Sequence, residues 1–181
     1  VGLNSTVAVL GAGSVGIAMM RFAKVLGATP LIAVARRDEQ LAYAVDTIGA
    51  DAAVNSDTED APARLRKLTG GRGLDLIIDT SGSVELTARC VPALAADGKV
   101  SGYATYPRDN PLATHIPADK LTAAGVTGED TCHDYMIDAV RLGLVKLGDM
   151  HSGTMPFAHI AEGFAQLEAK RAMKFVFEME G

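Results

Sequence analysis

The hexapeptide GAGSVG, which begins at Gly11, has the spacing G-x-G-x-x-G that suits a bound phosphate group. We expect Gly11 to allow a tight turn and Gly13 to let the backbone approach a pyrophosphate, while Gly16 lets a helix pack closely on the preceding strand. Ser14 and Val15 would be the first residues of that helix. Backbone N–H groups at the amino end of a helix have no partner within it and attract anions. The motif therefore predicts a site for the pyrophosphate of a dinucleotide.

Two arginines stand where such a site commonly has an acid. The second apolar run, LIAVA, ends at Ala35 and is followed at once by Arg36 and Arg37. A carboxylate here would bond the ribose hydroxyls and repel a 2′-phosphate, whereas guanidinium groups bind phosphate through several donors. We therefore predict NADP(H), with NAD as the alternative if both arginines belong to a solvated charge cluster with Asp38 and Glu39.

Two other interpretations of the glycine turn are weaker. A methyltransferase would favour an acidic residue before the turn and a carboxylate at the end of the second strand, but TVAVL precedes the turn and Ala35 ends that strand. A turn that serves only packing would not need an apolar strand before it and an amphipathic helix after it. The context therefore favours dinucleotide binding.

Alternating strands and helices must position these residues. The predicted strands are TVAVL, LIAVA, DAAVN, LDLIIDTSG, KVSGY and LTAAGVTG. Between them the predicted helices span residues 14–26, 38–48, 60–69 and 83–94. We expect the first helix to turn one apolar face inward, formed by Val15, Ala18, Met19, Phe22 and Leu26. The pattern predicts an α/β fold with a Rossmann-type, doubly wound parallel sheet in the strand order 3-2-1-4-5-6.

A C-terminal helix and strand appendage follows this sheet. We predict a helix over residues 130–147, a short strand near SGTM, a helix over residues 157–168 and a final strand in MKFVFEM. The first of these helices should turn inward Met136, Ile137, Val140 and Leu144. We therefore divide the chain into a dinucleotide-binding domain, residues 1–129, and a C-terminal segment, residues 130–181.

Composition limits the classes of partner. The formal net charge of −5 does not favour nucleic acid or an anionic membrane, and no apolar run is long enough to span a bilayer. Only two cysteines occur, far apart, which predicts a reducing, cytoplasmic location. The chain begins at Val1 almost directly before the first strand, so we expect it to be part of a longer protein.

The order of these motifs, from VAVLGAGSVG through ARRDEQLAYAVDTIGAD and DLIIDTSG to HIAEGFAQLEAKRAMKFVFEM, resembles the medium-chain dehydrogenase/reductase family. The zinc-type alcohol, polyol and threonine dehydrogenases are the branch it resembles most, over essentially the whole chain. The resemblance implies hydride transfer between NADP(H), or NAD, and a small alcohol or carbonyl substrate. It also implies that the catalytic zinc ligands lie in a separate N-terminal domain absent from this chain.

The resemblance further implies roles for individual residues. Val15 would pack against the nicotinamide, and Thr80 and Ser81 would line the adenosine side. Lys174 stands where the family often has an arginine that reaches the pyrophosphate. Backbone contacts with the nicotinamide carboxamide would come from Thr105, Val126 and Gly128. No catalytic or metal-binding residue is expected within the chain, and a homodimer or tetramer would form through the sixth strand.

Two alternatives stay open at this stage. The chain could be a non-catalytic NAD(P)-binding or sensing module, or part of a zinc-free quinone or enoyl reductase of the same family. For the remaining polar candidates we expect no catalytic role. The pair Cys132-His133 is expected to be buried or solvated, whereas Tyr103 is expected to pack in the core and Tyr106 is expected to anchor a loop. Solvated or structural positions are also expected for His115, His151 and His159.

Overall fold

Five parallel strands form the main sheet of the computed structural model, which describes residues 1–122 and 132–179. The strands are β1 (Val7–Leu10), β2 (Leu31–Ala35), β3 (Ala52–Asn55), β4 (Leu74–Asp79) and β5 (Leu94–Gly102). Their order in the sheet is β3-β2-β1-β4-β5, and every neighbouring pair is parallel. The predicted α/β fold and the order of its first five strands are confirmed.

The sixth predicted strand lies mostly outside the described residues. Its first residue, Leu121, forms a parallel bridge with Val100 of β5. The rest of LTAAGVTG falls within residues 123–131, so the last place in the predicted order 3-2-1-4-5-6 stays a prediction.

Every residue of β1 and β2 is buried, as the continuous apolar runs require of strands covered on both faces. The crossover helices are α1 (Ser14–Val25), α2 (Asp38–Tyr43), α3 (Ala61–Leu68) and α4 (Val84–Cys90). The α2 helix continues as one π-helical turn, Ala44–Ile48, and α4 continues as a 3-10 turn, Val91–Ala93.

Local signals explain where these helices begin and end. The side chains of Asp60 and Ser83 cap α3 and α4 by accepting from backbone N–H groups three residues later. The turn after α2 ends at Gly49, whose φ of 89° suits a residue without a Cβ atom. Asp38 is the first helical residue of α2, and Arg37 takes the cap position without using its side chain as a cap.

The buried face of α1 differs from the predicted one. Gly16, Ile17, Met20 and Ala23 are buried, whereas Val15 is 42% exposed and Leu26 is 55% exposed. The predicted face counted apolar side chains alone, although the glycine spacing separately predicts the close contact of Gly16, which the structure places against the Gly11 carbonyl. Its contact fixes the rotation of the helix, so Val15 faces outward beside the glycine turn.

The amino end of the sheet is tied by one polar cluster. A carboxylate oxygen of Asp75 accepts from the backbone N–H of Thr6 (2.8 Å) and from the Arg72 guanidinium (2.5 Å). The Thr6 hydroxyl in turn donates to the Gly73 carbonyl (3.0 Å). These bonds link the amino ends of β1 and β4, two strands that are neighbours in the sheet.

The chain divides into two compact units, Val1–His133 and Asp134–Gly181. The second contains most of α5 (His133–Arg141), then β6 (Gly153–Pro156), α6 (Ile160–Glu168) and β7 (Phe175–Glu178). Strands β6 and β7 pair in parallel, and Gly163 of α6 packs against the ring of Phe177. Among residues 1–122 and 132–179, every helix is too short or too polar to span a bilayer.

The predicted inward face of α5 is wrong for the chain as described. Met136 is 43% exposed, Ile137 is 46% exposed and Leu144, beyond the end of the helix, is 53% exposed. Only Ala139 of this helix is buried. A unit of this size, with two helices and a two-stranded sheet, has too little interior to bury every apolar side chain.

Candidate functional site

The glycine turn connects β1 to α1 with three different constraints. Gly11 has a φ of 99°, in the left-handed region that favours glycine. A Cβ atom on Gly16 would lie 1.9 Å from the Gly11 carbonyl oxygen, so only glycine fits there. A Cβ atom on Gly13 would meet nothing within 4 Å. The turn is therefore closed against the strand at Gly16 and open to solvent at Gly13.

The amino end of α1 leaves its first backbone amides without a protein cap. Gly13 occupies the cap position, no side chain in the described part of the molecule caps the helix, and its first turn contains no acidic residue. The first intrahelical bond runs from Ile17 N–H to the Gly13 carbonyl (2.9 Å). The N–H groups of Ser14 and Val15 precede that bond, and a helix start of this kind favours an anion.

Residues after β4 hold the glycine turn in place. The Thr80 hydroxyl donates to the carbonyls of Leu10 (3.0 Å) and Gly11 (3.2 Å), and its backbone N–H donates to Leu10 (2.8 Å). Ser81 lies beside the turn, with its backbone nitrogen 3.0 Å from an added Cβ on Gly11. The predicted residues Thr80 and Ser81 are thus brought together with the glycine motif at the carboxyl ends of β1 and β4.

The carboxyl end of β2 carries the arginine pair. Ala35 is buried, Arg36 is exposed and makes no ion pair within the described part of the chain, and Arg37 is partly buried with its Nε donating to Gln40 Oε1 (3.2 Å). The Val34 carbonyl, one residue earlier, accepts from the Gly11 N–H (2.8 Å). This bond places the end of β2 directly beside the glycine turn.

Asn55, at the end of β3, is a residue that the sequence analysis missed. It pairs in register with Ala35, it is buried, and its Nδ2 donates to Asp38 Oδ1 (2.6 Å). The bond holds the Asp38 carboxylate at the end of β3. A polar residue closing the short apolar run DAAVN was the available signal.

Asp79 is a second missed residue. It ends the apolar strand β4, its side chain is fully buried, and its carboxylate accepts from the Tyr106 hydroxyl (2.7 Å) and the Ser81 hydroxyl (2.6 Å). Burial raises the pKa of Tyr106, and the bond to Asp79 raises it further, so this hydroxyl stays protonated. Tyr106 is the loop anchor that the sequence analysis expected, whereas Tyr103, expected in the core, is 52% exposed.

The other predicted site residues are dispersed. Thr105 is exposed in the segment after β5, and its carbonyl faces Gly82 after β4. Lys174 belongs to the second unit, where its carbonyl accepts from the Ser152 N–H (2.7 Å) directly before β7. Val126 and Gly128 lie outside the described residues. The roles of all four stay predictions.

The cysteines and histidines form no metal cluster among the described residues. Cys90 is buried in the core, and burial raises the pKa of its thiol to about 11, whereas Cys132 is exposed. His115 is exposed and bonds to Asn110.

A family model described as zinc-binding dehydrogenase matches residues 14–138, which include the helix of the glycine turn and strands β2 to β5. The chain belongs to the zinc-binding dehydrogenase family. The predicted family and its zinc-type branch are confirmed. The match begins at the first residue of α1, where the candidate phosphate site lies.

Curated relatives in this family include two named dehydrogenases. An L-threonine 3-dehydrogenase from Bacillus velezensis is 28% identical over 167 residues, which are 89% of this chain and 47% of the relative. An alcohol dehydrogenase from Cupriavidus necator is 29% identical over 151 residues, which are 81% of this chain and 41% of the relative. The chain thus spans about half the length of the curated relatives that it matches.

Solved structures agree on the fold. An alcohol dehydrogenase from Thermus sp. ATN1 aligns with 99% of this chain and 54% of its own, with a TM-score of 0.84 and 25% identity. A benzyl alcohol dehydrogenase from Acinetobacter calcoaceticus also aligns with this chain, with a TM-score of 0.85 and 23% identity. The alignment covers 99% of this chain and 51% of the benzyl alcohol dehydrogenase chain. The architecture described above is therefore that of known dehydrogenases.

Proposed function

We propose that the chain binds NADP(H) as the coenzyme-binding part of an oxidoreductase. The observation that carries this proposal is the contrast within the glycine turn: Gly16 is in contact with the Gly11 carbonyl, while the space above Gly13 is open. That open space lies at the uncapped start of α1, where backbone amides suit a pyrophosphate. The residues present therefore fit a dinucleotide.

The 2′-phosphate of NADP(H) would be held by Arg36 and Arg37. Ala35 offers no carboxylate to the ribose, and the exposed Arg36 guanidinium can bind a phosphate through two parallel bonds. The nearest acid on α2, Asp38, is bonded to Asn55. This arrangement supports NADP(H) over NAD, because a 2′-phosphate at the carboxyl end of β2 would meet cations first.

The proposed reaction is hydride transfer between the nicotinamide and a small alcohol or carbonyl compound. Family membership and relatives named alcohol and threonine dehydrogenase support this substrate class. Bound NADP(H) would supply or accept the hydride. The chain itself would bind the pyrophosphate at Gly13, Ser14 and Val15 and present the outward Val15 side chain beside it.

We further propose that the two parts of the chain have different tasks. Residues 1–129 would bind the coenzyme, and residues 130–181 would complete a catalytic domain supplied by upstream chain, which would also carry the zinc ligands. The exposed apolar side chains of α5 and the exposed Val176 of β7 support this division. We also propose that the protein is cytoplasmic. Its copies would associate through the predicted strand LTAAGVTG, the sixth in the predicted sheet order.

Calorimetric titration of the chain with NADPH and with NADH tests the coenzyme. We expect tighter binding of NADPH that weakens as salt rises, because the arginine–phosphate contacts are electrostatic. Arg36→Ala and Arg37→Ala should each weaken NADPH binding about tenfold or more, since a hydrogen bond to a charged group contributes about 1.5–3 kcal/mol.

The matched control is Arg89→Ala, which removes an exposed arginine from α4 and should leave both affinities unchanged. NADH binding should be nearly insensitive to all three substitutions. Equal affinities for NADPH and NADH would refute the phosphate assignment, and absence of binding by either coenzyme would refute the proposed function.

A further inference from the structure

Asp79 is a buried carboxylate whose hydrogen-bond partners in residues 1–122 and 132–179 are all uncharged. One oxygen accepts from the backbone N–H (2.8 Å) and hydroxyl (2.6 Å) of Ser81, and the other accepts from the Tyr106 hydroxyl (2.7 Å). A buried charge is costly unless its hydrogen bonds are satisfied. Three donors satisfy this carboxylate, and one of them comes from a different segment of the chain.

That segment is Tyr103–Tyr106, which follows β5. Asp79 holds it at both ends, because its backbone carbonyl accepts from the Tyr103 N–H (2.7 Å) and its carboxylate accepts from the Tyr106 hydroxyl. Between these bonds the Thr105 carbonyl faces Gly82, where an added Cβ atom would lie 3.2 Å away. The backbone of Ala104 and Thr105 is thus held at both ends by Asp79 and passes beside Gly82.

The two bonds to Asp79 lie on the opposite side of the glycine turn from the arginine pair. The arginine pair lies at the end of β2, on one side of the glycine turn, whereas β4 and β5 lie on the other side. A dinucleotide bound across a crevice of this fold has its two halves on opposite sides of the turn. With the adenosine ribose at Arg36, the nicotinamide half falls on the side of β4 and β5.

We propose that Tyr106 is a positioning residue that acts through Asp79 to fix the Tyr103–Tyr106 segment for the nicotinamide half of the coenzyme. This inference rests on the proposed function. A charge-assisted hydrogen bond is stronger than a neutral one, which suits an anchor for an exposed loop. The neighbouring Thr80 holds the glycine turn, so adjacent residues at the end of β4 position the pyrophosphate turn and the Tyr103–Tyr106 segment separately.

The test compares two ligands that differ only in the nicotinamide. NADPH and 2′-phospho-ADP-ribose are titrated into the unsubstituted chain and into Tyr106→Phe, which keeps the ring and removes the hydroxyl. We expect Tyr106→Phe to weaken NADPH about tenfold and to leave 2′-phospho-ADP-ribose unchanged, so that the ratio of the two affinities falls about tenfold. Hydrogen exchange of residues 103–106 should become faster in the variant.

Three further variants sharpen the comparison. Asp79→Asn should lower the ratio less, because its amide can donate to the Tyr106 hydroxyl and retain a neutral bond. Thr80→Val should weaken both ligands alike, since its hydroxyl holds the turn that faces the pyrophosphate. Tyr135→Phe removes the hydroxyl of an exposed tyrosine in the second unit and should change neither affinity.

An unchanged ratio in a folded Tyr106→Phe chain would overturn the inference while leaving the proposed function intact. Equal loss of both ligands would also overturn it, because it would assign Tyr106 a general structural role. If neither ligand bound the unsubstituted chain, the proposed function would fail and this inference with it.

Discussion

Gly13→Ala and Gly16→Ala add the same methyl group three residues apart, and the structure predicts opposite consequences. At Gly16 the new Cβ would lie 1.9 Å from the Gly11 carbonyl oxygen and 2.9 Å from the Thr80 hydroxyl oxygen. The first distance is about 1.5 Å short of ordinary contact, and a backbone oxygen cannot rotate away as a flexible side chain can. The chain must therefore move α1 away from β1 to accept this residue.

Two opposing free-energy contributions determine whether Gly16→Ala stabilises or destabilises the fold. Alanine within a helix is about 1 kcal/mol more favourable than glycine. Forcing a methyl group into a packed contact costs about 1–3 kcal/mol and more when backbone must shift. Because the overlap here is with backbone, we expect Gly16→Ala to lower the free energy of unfolding by about 2 kcal/mol or more.

At Gly13 the corresponding contributions nearly cancel, so we expect little change in the free energy of unfolding. Its φ of −81° is available to any residue, and an added Cβ meets nothing within 4 Å. Restricting the unfolded chain favours alanine by about 0.4–1 kcal/mol, whereas alanine is a poorer helix cap than glycine. We expect these opposing effects to cancel within about 1 kcal/mol, while the methyl group occupies the space proposed for the pyrophosphate and weakens NADPH about tenfold or more.

Urea unfolding and NADPH calorimetry on both variants separate these effects. Gly148→Ala is the control, because that glycine lies in the second unit with open space around it and should change neither quantity. The reasoning is refuted if Gly13→Ala binds NADPH as tightly as the unsubstituted chain, or if Gly16→Ala unfolds at the same urea concentration.

Two further predictions concern ionisable groups. Burial of Asp75 would raise its pKa, but hydrogen bonds from Thr6 and Arg72 and the charge of Arg72 outweigh it and hold the pKa below 3.8. A carboxyl with a depressed pKa stabilises the fold above its unfolded value and loses that effect as pH falls through the folded value. Asp75→Asn should therefore have a lower Tm near neutral pH, by an amount worth at most about 1 kcal/mol for so exposed a pair, and the two Tm curves should converge on acidification; parallel curves would contradict this. Because burial raises the pKa of Cys90 to about 11, a thiol reagent near neutral pH should modify Cys132 alone in the folded chain and both cysteines after unfolding. Cys132→Ser should abolish the folded-state reaction, and two reactive thiols before unfolding would count against the buried position of Cys90.

The sequence predicts most of the backbone geometry around the glycine turn because local rules govern it. The G-x-G-x-x-G spacing predicts the turn and the start of α1 at Ser14, and the end of the apolar run LIAVA places the arginines beside that turn. Each of these features depends on a few adjacent residues. Their side-chain contacts with a ligand stay predictions.

The features that the sequence does not predict depend on contacts between distant segments. The rotation of α1 is set by Gly16 against Gly11, and a hydrophobic pattern gives glycine no weight. The bond from Tyr106 to Asp79 joins residues 27 positions apart, in segments that meet only once β4 and β5 are paired.

The strand order β3-β2-β1-β4-β5 has a consequence for the order of events during folding. Strands β1, β2 and β3 pair with sequence neighbours, whereas the chain after β3 must cross β2 and β1 before β4 can pair with the far side of β1. The glycine turn can therefore form early, but Thr80 and Asp79 join it only when β4 docks. Pairing across so long a stretch of chain is slow, because loop closure must precede the contacts that reward it. A ligand that needs residues on both sides of the glycine turn would consequently bind only the assembled sheet, and its binding would stabilise that sheet against unfolding.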